Sequence, residues 1–297
     1  MSPNNNLKAI LWMLVHVFSA ALMCASYRIL GTQMDRLVLA FFLNASGFIF
    51  IIPFAVYKNR EIRRSTLWKS YMLRASLTVS AQLLLIYAYN NMEFAQVSAI
   101  TLLYPLLCSF ASCIILHEKI GVSKAISLVI AFIGAIIIVN PNYYSFNYYS
   151  FFAILATSLW VLYDLATAKY GKTESIVTQS FFIMFFITLF SGLLAAYRNF
   201  TGIPELFWED VYYFGLVVSV YFVSGIGAIM YTNELALVMP FYFLVLIVST
   251  AIGYYGFSES ISFKTSFGAT TILCSTIYIA YHEYKHKTRK RNLKKQN

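Results

Sequence analysis

The sequence predicts an all-α integral membrane protein with ten transmembrane helices, arranged as two inverted five-helix repeats. Nine stretches of 18 residues or more contain no Lys, Arg, Asp or Glu, and one of them is twice the usual length. A bilayer core of about 30 Å requires about 20 apolar residues per helix, because every backbone polar group must be satisfied within the segment. The composition agrees, since 60% of the residues are hydrophobic and only 11% are charged. This balance excludes a large soluble domain.

The uncharged stretches define the predicted spans in order. They cover residues 9–27, 37–57, 75–92, 94–117, 125–163, 175–197, 211–233, 235–258 and 265–282. The stretch 125–163 holds two spans, because Asn140-Pro141-Asn142 and the Tyr-rich segment up to Tyr149 are typical of a turn at the membrane interface. We interpret the first stretch as an uncleaved helix and not as a signal peptide, since a second span follows closely and the whole chain continues in the same style.

The basic residues predict the orientation in the membrane. With the N-terminus inside, 18 of the 22 Lys and Arg residues lie on the cytoplasmic side, and only Arg28, Arg36, Arg198 and Lys264 lie outside. The positive-inside rule therefore places both termini in the cytoplasm. The net charge of +10 reflects this asymmetry in membrane-flanking loops and in the tail of residues 285–297. We therefore predict the lipid bilayer, and no nucleic acid, as a partner.

An internal duplication predicts the two halves. A single alignment of the chain with itself, without a gap, brings three pairs of charged residues together. These pairs are Glu93 with Glu234, Glu118 with Glu259, and Arg28 with Lys169. Five helices per half is an odd number, so the second half enters the membrane from the opposite side, as in the inverted repeats of carriers with a midplane substrate site. The predicted units are a first repeat at 1–141, a second at 142–284 and a basic cytoplasmic tail at 285–297.

Motifs along most of the chain resemble the ten-helix EamA-type members of the drug/metabolite transporter superfamily. Tyr104-Pro105 lies within the fourth span and leads to Glu118 at its end, with Gly134 in the fifth span. In the second half Glu259 repeats the acid at the end of the span, but Leu246 replaces the central Pro, which leaves the shape of the ninth span open. The resemblance implies a secondary transporter that works by alternating access and requires no cofactor.

A narrower resemblance is to the S-adenosylmethionine uptake carriers of intracellular bacteria such as rickettsiae. The residues that carry it are Leu162-Tyr163-Asp164 followed by Lys169, the segment Pro240-Phe241-Tyr242-Phe243-Leu244, and the basic tail. It implies a multi-pass protein of a bacterial inner membrane that takes up a small cationic or zwitterionic metabolite, with S-adenosylmethionine as the specific hypothesis. The alternative is an exporter of amino acids or related metabolites. Direction, ion coupling and oligomeric state stay open.

Asp164 is the leading candidate for substrate binding. A carboxylate well inside a span costs about 2.5 to 3.5 kcal/mol on insertion scales unless it faces water or a partner. Trp160, Asp164 and Thr167 are spaced i, i+4 and i+7, so they share one helix face. A carboxylate and an indole suit a cation, and the cation–π contact contributes about 0.5 to 2 kcal/mol. Alternatively, Asp164 pairs with Lys169 or Arg74 and only holds helices together.

Arg74, Tyr104 and Tyr242 complete the predicted substrate-binding set. Arg74 opens the third span, where it is either a counter-ion for a substrate carboxylate or a residue that extends to the cytoplasmic surface. The two tyrosines are polar enough to line a pathway.

Five residues are predicted to have gate or structural roles. Glu93 and Glu234 lie at short connections on opposite membrane sides, where gate, packing and ordinary loop roles are all open. Glu118 and Glu259 end the fourth and ninth spans, and we expect structural hydrogen bonds there. Pro105 removes a helix donor and is either a hinge or a fixed kink.

One motif points to a different class of protein. His282-Glu283-Tyr284-Lys285-His286 fits the H-E-x-x-H pattern of zinc proteases. No His or acid follows it to serve as a third ligand, and the surrounding Lys and Arg oppose a dication. We therefore predict no metal site, no catalytic residue and no enzyme, with a membrane zinc protease as the remote alternative.

Overall fold

The structure, a computed structural model, describes most of the chain. The described residues are 3–57, 62, 65–104, 107–108, 111, 114, 126, 129–130, 133–134, 137, 147–170, 174–197, 208–231, 242, 244–259, 262–264, 266–275, 277–278 and 281. Within these ranges the regular secondary structure is helical and no strand is present. Three predicted site residues, Pro105, Glu118 and Glu234, lie outside the description, as do the H-E-x-x-H segment and the side chain of Lys169, the alternative partner of Asp164.

Eight main helices carry the architecture of the described part. They are α1 (Pro3–Leu30), α2 (Arg36–Tyr57), α3 (Trp68–Asn91), α4 (Phe94–Thr101), α5 (Tyr149–Tyr170), α6 (Ile176–Tyr197), α7 (Trp208–Tyr231) and α8 (Leu244–Phe257). Six of them, α1, α2, α3, α5, α6 and α7, contain segments long and apolar enough to cross a membrane. The chain is therefore a multi-pass membrane protein, as predicted. Each of the other four predicted spans includes residues that the structure does not describe.

The outer surface of the helices is apolar, which fits a lipid environment. Along α1, Leu11, Val15, Phe18 and Leu22 are all exposed and follow one another at intervals of three or four residues. Such spacing places them in one stripe along the helix. An exposed apolar stripe is unfavourable in water but favourable against lipid, so α1 presents this face to the bilayer.

The helices of the two halves pack in a reciprocal pattern. Helix α1 packs against α7, and α5 packs against α3. In the same way α2 packs against α7 and α6 against α3, while α1 contacts α8 and α5 contacts α4. The pairs α2 with α6 and α4 with α8 join corresponding helices of the two halves. Within the described part of the chain, the largest helix contacts therefore join the first half of the sequence to the second.

The charged pairs predict one alignment of the first half with the second. The helices α2 and α6, and likewise α3 and α7, match in an alignment shifted from it by one residue. Helices α2 and α6 coincide from end to end when Arg36 is aligned with Ile176, and α3 and α7 coincide in the same alignment. The buried residues of α2 and those of α6 also match at every position in this alignment. The gap-free alignment that pairs Glu93 with Glu234 is therefore wrong for these helices. For that pair to match as well, the second half must have an additional residue between the end of α7 and Glu234.

Candidate substrate-binding cavity

A cavity lies where helices of the two halves meet. Its lining comes from α1, α5 and α7, from Tyr104 just beyond α4, and from Tyr242 just before α8. The lining residues are Met13, His16, Tyr104, Trp160, Tyr163, Asp164, Tyr221, Gly225, Ala228 and Tyr242. The cavity has a volume of about 40 Å³. This is room for a few waters but not for a metabolite.

Asp164 is the acidic residue of this lining. Its Oδ2 accepts a hydrogen bond from the hydroxyl of Tyr104, which joins α5 of the second half to the chain segment after α4 of the first half. No ion pair to Asp164 is present among the described side chains, since the one salt bridge found there joins Arg28 to Glu259. Its partner among the described residues is thus a neutral donor, and a charged ligand can still compete for the carboxylate.

Aromatic rings form much of the remaining wall. The ring centroids of Tyr104 and Tyr242 lie 5.1 Å apart, and those of Trp160 and Tyr221 lie 6.2 Å apart. Trp160 and Asp164 both line the cavity, as their shared helix face predicts. Electron-rich ring faces next to a carboxylate give a site that suits an organic cation with a planar group.

Two predicted residues lie behind the cavity wall. Thr167 is buried, and its hydroxyl donates to the backbone oxygen of Tyr163 at 2.8 Å. Arg74 is also buried and does not extend to the surface; its Nη1 donates to Oε1 of Gln179 at 3.2 Å, and its guanidinium carbon lies 5.1 Å from the centroid of the Tyr163 ring. Nε and Nη2 of Arg74 have no hydrogen-bond partner in the described part of the chain. Because Tyr163 lines the cavity, Arg74 is separated from it by one side chain.

Glu259 joins the two halves at one end of the bundle. Its Oε2 accepts a hydrogen bond of 2.7 Å from the backbone N–H of Phe94, at the start of α4, and its Oε1 lies 3.5 Å from Nη2 of Arg28. Nη1 of Arg28 donates to the backbone oxygen of Met92 at 3.0 Å and also to that of Tyr89. We call this group, Arg28, Met92, Phe94 and Glu259, the end clasp. A carboxylate at a helix N-terminus and beside a guanidinium is favourably placed.

Glu93 makes a local contact instead. Its Oε2 accepts a hydrogen bond of 2.9 Å from Nε2 of Gln96 in the first turn of α4. This bond does not reach the second half.

The sequence reasoning missed three residues of the lining as functional candidates. These are His16, Tyr163 and Tyr221. Tyr163 and Tyr221 belong to a chain with 23 tyrosines, most of which we interpreted as interfacial. His16 could have been found, since an ionisable residue inside an apolar span is itself a pointer to function.

A carboxylate and aromatic rings around a small cavity, between two halves of a multi-pass bundle, are typical of a transporter of small molecules. Residues 7–140 match the EamA-like transporter family, which is the family that the motifs resemble. This match and the relatives below identify the chain as a membrane transporter and not an enzyme.

Proteins of two transport activities are similar over nearly the whole chain. The S-adenosylmethionine uptake transporter of Rickettsia bellii is 23% identical over 94% of this chain and 95% of its own length. That of Rickettsia prowazekii is 23% identical, over 94% of both chains. The riboflavin transporter of Vibrio cholerae is 25% identical over 97% of both. A protein of known crystal structure shares the fold, with a TM-score of 0.65 at 13% identity over 94% of this chain and 97% of the other.

Proposed function

We propose that this protein is a secondary transporter that takes up S-adenosylmethionine across a bacterial inner membrane. The observation that carries the proposal is Asp164, a carboxylate in a cavity between the halves, bonded only by Tyr104 among the described side chains. S-Adenosylmethionine carries a sulfonium and an ammonium group, and a partly buried carboxylate attracts such groups. The rings of Trp160 and Tyr242 offer faces for the adenine and for the cation.

The relatives support the same substrate and direction. Those from Rickettsia are named for uptake of S-adenosylmethionine, which favours import over the exporter alternative. The Vibrio cholerae relative is named for riboflavin, which makes a flavin the second candidate. Riboflavin is uncharged and has no group that needs a carboxylate counter-ion, so Asp164 favours the cationic cargo.

Two inverted five-helix repeats, ten helices in all, account for the packing and for a route across the membrane. The reciprocal contacts between the halves and the end-to-end correspondence of α2 with α6 support the repeat. An odd number of helices per repeat inverts the second half, and both termini then lie in the cytoplasm, in agreement with the positions of the basic residues. In this proposal the small cavity and the end clasp belong to a closed state, from which the halves separate to admit cargo.

Uptake by intact cells tests the proposal. Cells that express the chain are given radiolabelled S-adenosylmethionine, with unlabelled riboflavin as a competitor in a parallel assay. Asp164→Asn removes the charge in the cavity, and Asp210→Asn makes the same change at an exposed position in the first turn of α7.

We expect the cells to take up S-adenosylmethionine. Asp164→Asn should reduce this uptake at least tenfold, whereas neither Asp210→Asn nor the addition of riboflavin should reduce it. No accumulation above cells without the protein would refute S-adenosylmethionine as the substrate. Full uptake by Asp164→Asn would refute the role of the carboxylate, and strong competition by riboflavin would favour the flavin.

A further inference from the structure

His16 on α1 is a cavity-lining residue to which the proposed mechanism gives no task. Its ring stacks on Tyr221 of α7, with the centroids 4.5 Å apart, and lies 6.3 Å from the ring centroid of Tyr242. Its Nδ1 lies 3.1 Å from the backbone oxygen of Tyr221. The imidazole therefore has a fixed position between the two halves.

Gly225 makes this position possible. A Cβ atom at residue 225 would lie 2.9 Å from Cε1 and 3.0 Å from Nδ1 of His16. These distances are too short for an ordinary contact, so any larger residue would displace the ring from the backbone of α7. The glycine thus permits the hydrogen bond to the Tyr221 carbonyl.

The hydrogen bond also determines which ring nitrogen carries the proton. A backbone carbonyl only accepts, so Nδ1 of His16 must be the donor. In the uncharged ring Nε2 then has a lone pair and accepts hydrogen bonds. In the described part of the structure Nε2 has no hydrogen-bond partner, while the ring itself lines the cavity.

We propose that His16 is a specificity residue that accepts a hydrogen bond at Nε2 from the amino group of a heteroaromatic base in the cargo. This inference rests on the proposed function: Asp164 binds the positive centre, while His16 selects the base at another point of the same cavity. In a base with a carbonyl oxygen in place of the amino group, that oxygen and Nε2 of His16 would both be acceptors. They could not form a hydrogen bond with each other. We expect such an analogue to bind roughly 10- to 100-fold more weakly, because an unpaired polar group would remain buried.

The tautomer can be tested without any cargo. Nitrogen-15 NMR is recorded on protein in which His117, His282 and His286 are replaced by Gln, so that His16 is the one histidine. We expect a protonated Nδ1 and an unprotonated Nε2, and the loss of this signature in Gly225→Ala. The opposite tautomer, with the proton on Nε2, would overturn the inference.

Selection of the base is tested by the binding of two named compounds. Thermal stabilisation of the purified protein is titrated with S-adenosylmethionine and with its deaminated 6-oxo analogue. His16→Phe keeps a stacking ring but removes both nitrogens, and Gly225→Ala keeps the histidine but displaces it. Gly227→Ala is the matched control, because its Cβ would meet Trp12 of α1, which does not line the cavity.

We expect a preference for S-adenosylmethionine of at least tenfold in the wild type and in Gly227→Ala, and its loss in both other variants. Equal binding of the two compounds by the wild type, or a preference that survives in His16→Phe and Gly225→Ala, would refute the role of His16 but not the transport proposal. Binding to the purified protein without uptake by cells would refute the transport proposal but not the role of His16. A wild type that binds neither compound would refute both.

Discussion

At the scale of residues, the candidate site depends on the contact between Tyr104 and Asp164. A partly buried carboxylate needs donors, and the tyrosine hydroxyl is the donor found in the described part of the chain. The bond also brings together the two halves, since Asp164 lies on α5 and Tyr104 follows α4. A cationic cargo would approach the same carboxylate of Asp164. The Tyr104 hydroxyl therefore holds this carboxylate in position for binding.

Removal of this hydroxyl should weaken both stability and binding. In Tyr104→Phe the carboxylate of Asp164 loses its donor, and because the carboxylate is only partly buried the cost lies towards the lower end of about 1 to 3 kcal/mol. We expect a lower Tm in detergent and weaker binding of S-adenosylmethionine. Tyr255→Phe, which makes the same change at an exposed position, is the control. Equal behaviour of the two variants would show that the Tyr104 hydroxyl has no such role.

The sequence predicted the lining of the cavity only in part, for physical reasons. Helical periodicity identified the face with Trp160 and Asp164, and the cost of a charge in lipid identified Asp164 as special. The same face included Thr167, but periodicity does not reveal that its hydroxyl is used by the Tyr163 carbonyl. His16 is recognisable in the sequence as an ionisable residue inside an apolar span, but no local pattern encodes its contact with Tyr221, which lies 205 residues away.

At the scale of elements, the end clasp connects α1, α4 and α8. Glu259 is positioned by a backbone turn after α8, where Ser258 has a φ of 53° in the left-handed region. The sequence predicted a structural hydrogen bond for this acid, and the structure supplies its partners, the N-terminus of α4 and Arg28. Because the clasp joins the halves at one end of the bundle, we expect it to stabilise the closed form at that end.

Loss of the clasp charge should open that end more often. In a background with the four native cysteines replaced by Ala, Met92→Cys places a thiol at a buried position of the clasp. We expect Glu259→Gln to raise the maleimide labelling rate of this thiol several-fold, because the charge-assisted contacts weaken. Glu93→Gln, which disturbs only the local bond to Gln96, should leave the rate unchanged. Equal rates in both variants would mean that the clasp does not hold this end closed.

At the scale of the whole molecule, the two halves of the chain correspond only weakly in sequence, whereas α2 and α6 correspond clearly in burial. The charged pairs predicted one alignment of the two halves. Helices α2 and α6 instead coincide in their ends and in every buried position when that alignment is shifted by one residue. Apolar residues are so frequent in this chain that a shift by a single position is hard to detect from sequence. Burial separates the two registers, because only one keeps the same helix faces inside.

An inverted repeat makes a direct prediction for one matched pair of residues. Tyr57 and Tyr197 are the last residues of α2 and α6, correspond in the alignment of these helices and are 90% and 83% exposed. Inversion places them on opposite sides of the membrane. The variants are made in protein from which the native cysteines have been removed. In intact cells, an impermeant maleimide should label Tyr197→Cys on the outside but not Tyr57→Cys in the cytoplasm. Labelling of both, or of neither until the cells are opened, would rule out inverted halves.

The most direct test of the central claim is the binding of radiolabelled S-adenosylmethionine to the purified protein. We expect saturable binding that Asp164→Asn weakens at least tenfold, because the partly buried carboxylate is the counter-charge for the cation. Asp210→Asn, at an exposed position, should bind like the wild type. Absence of saturable binding, or equal Kd values for the wild type and Asp164→Asn, would contradict a cation site at Asp164.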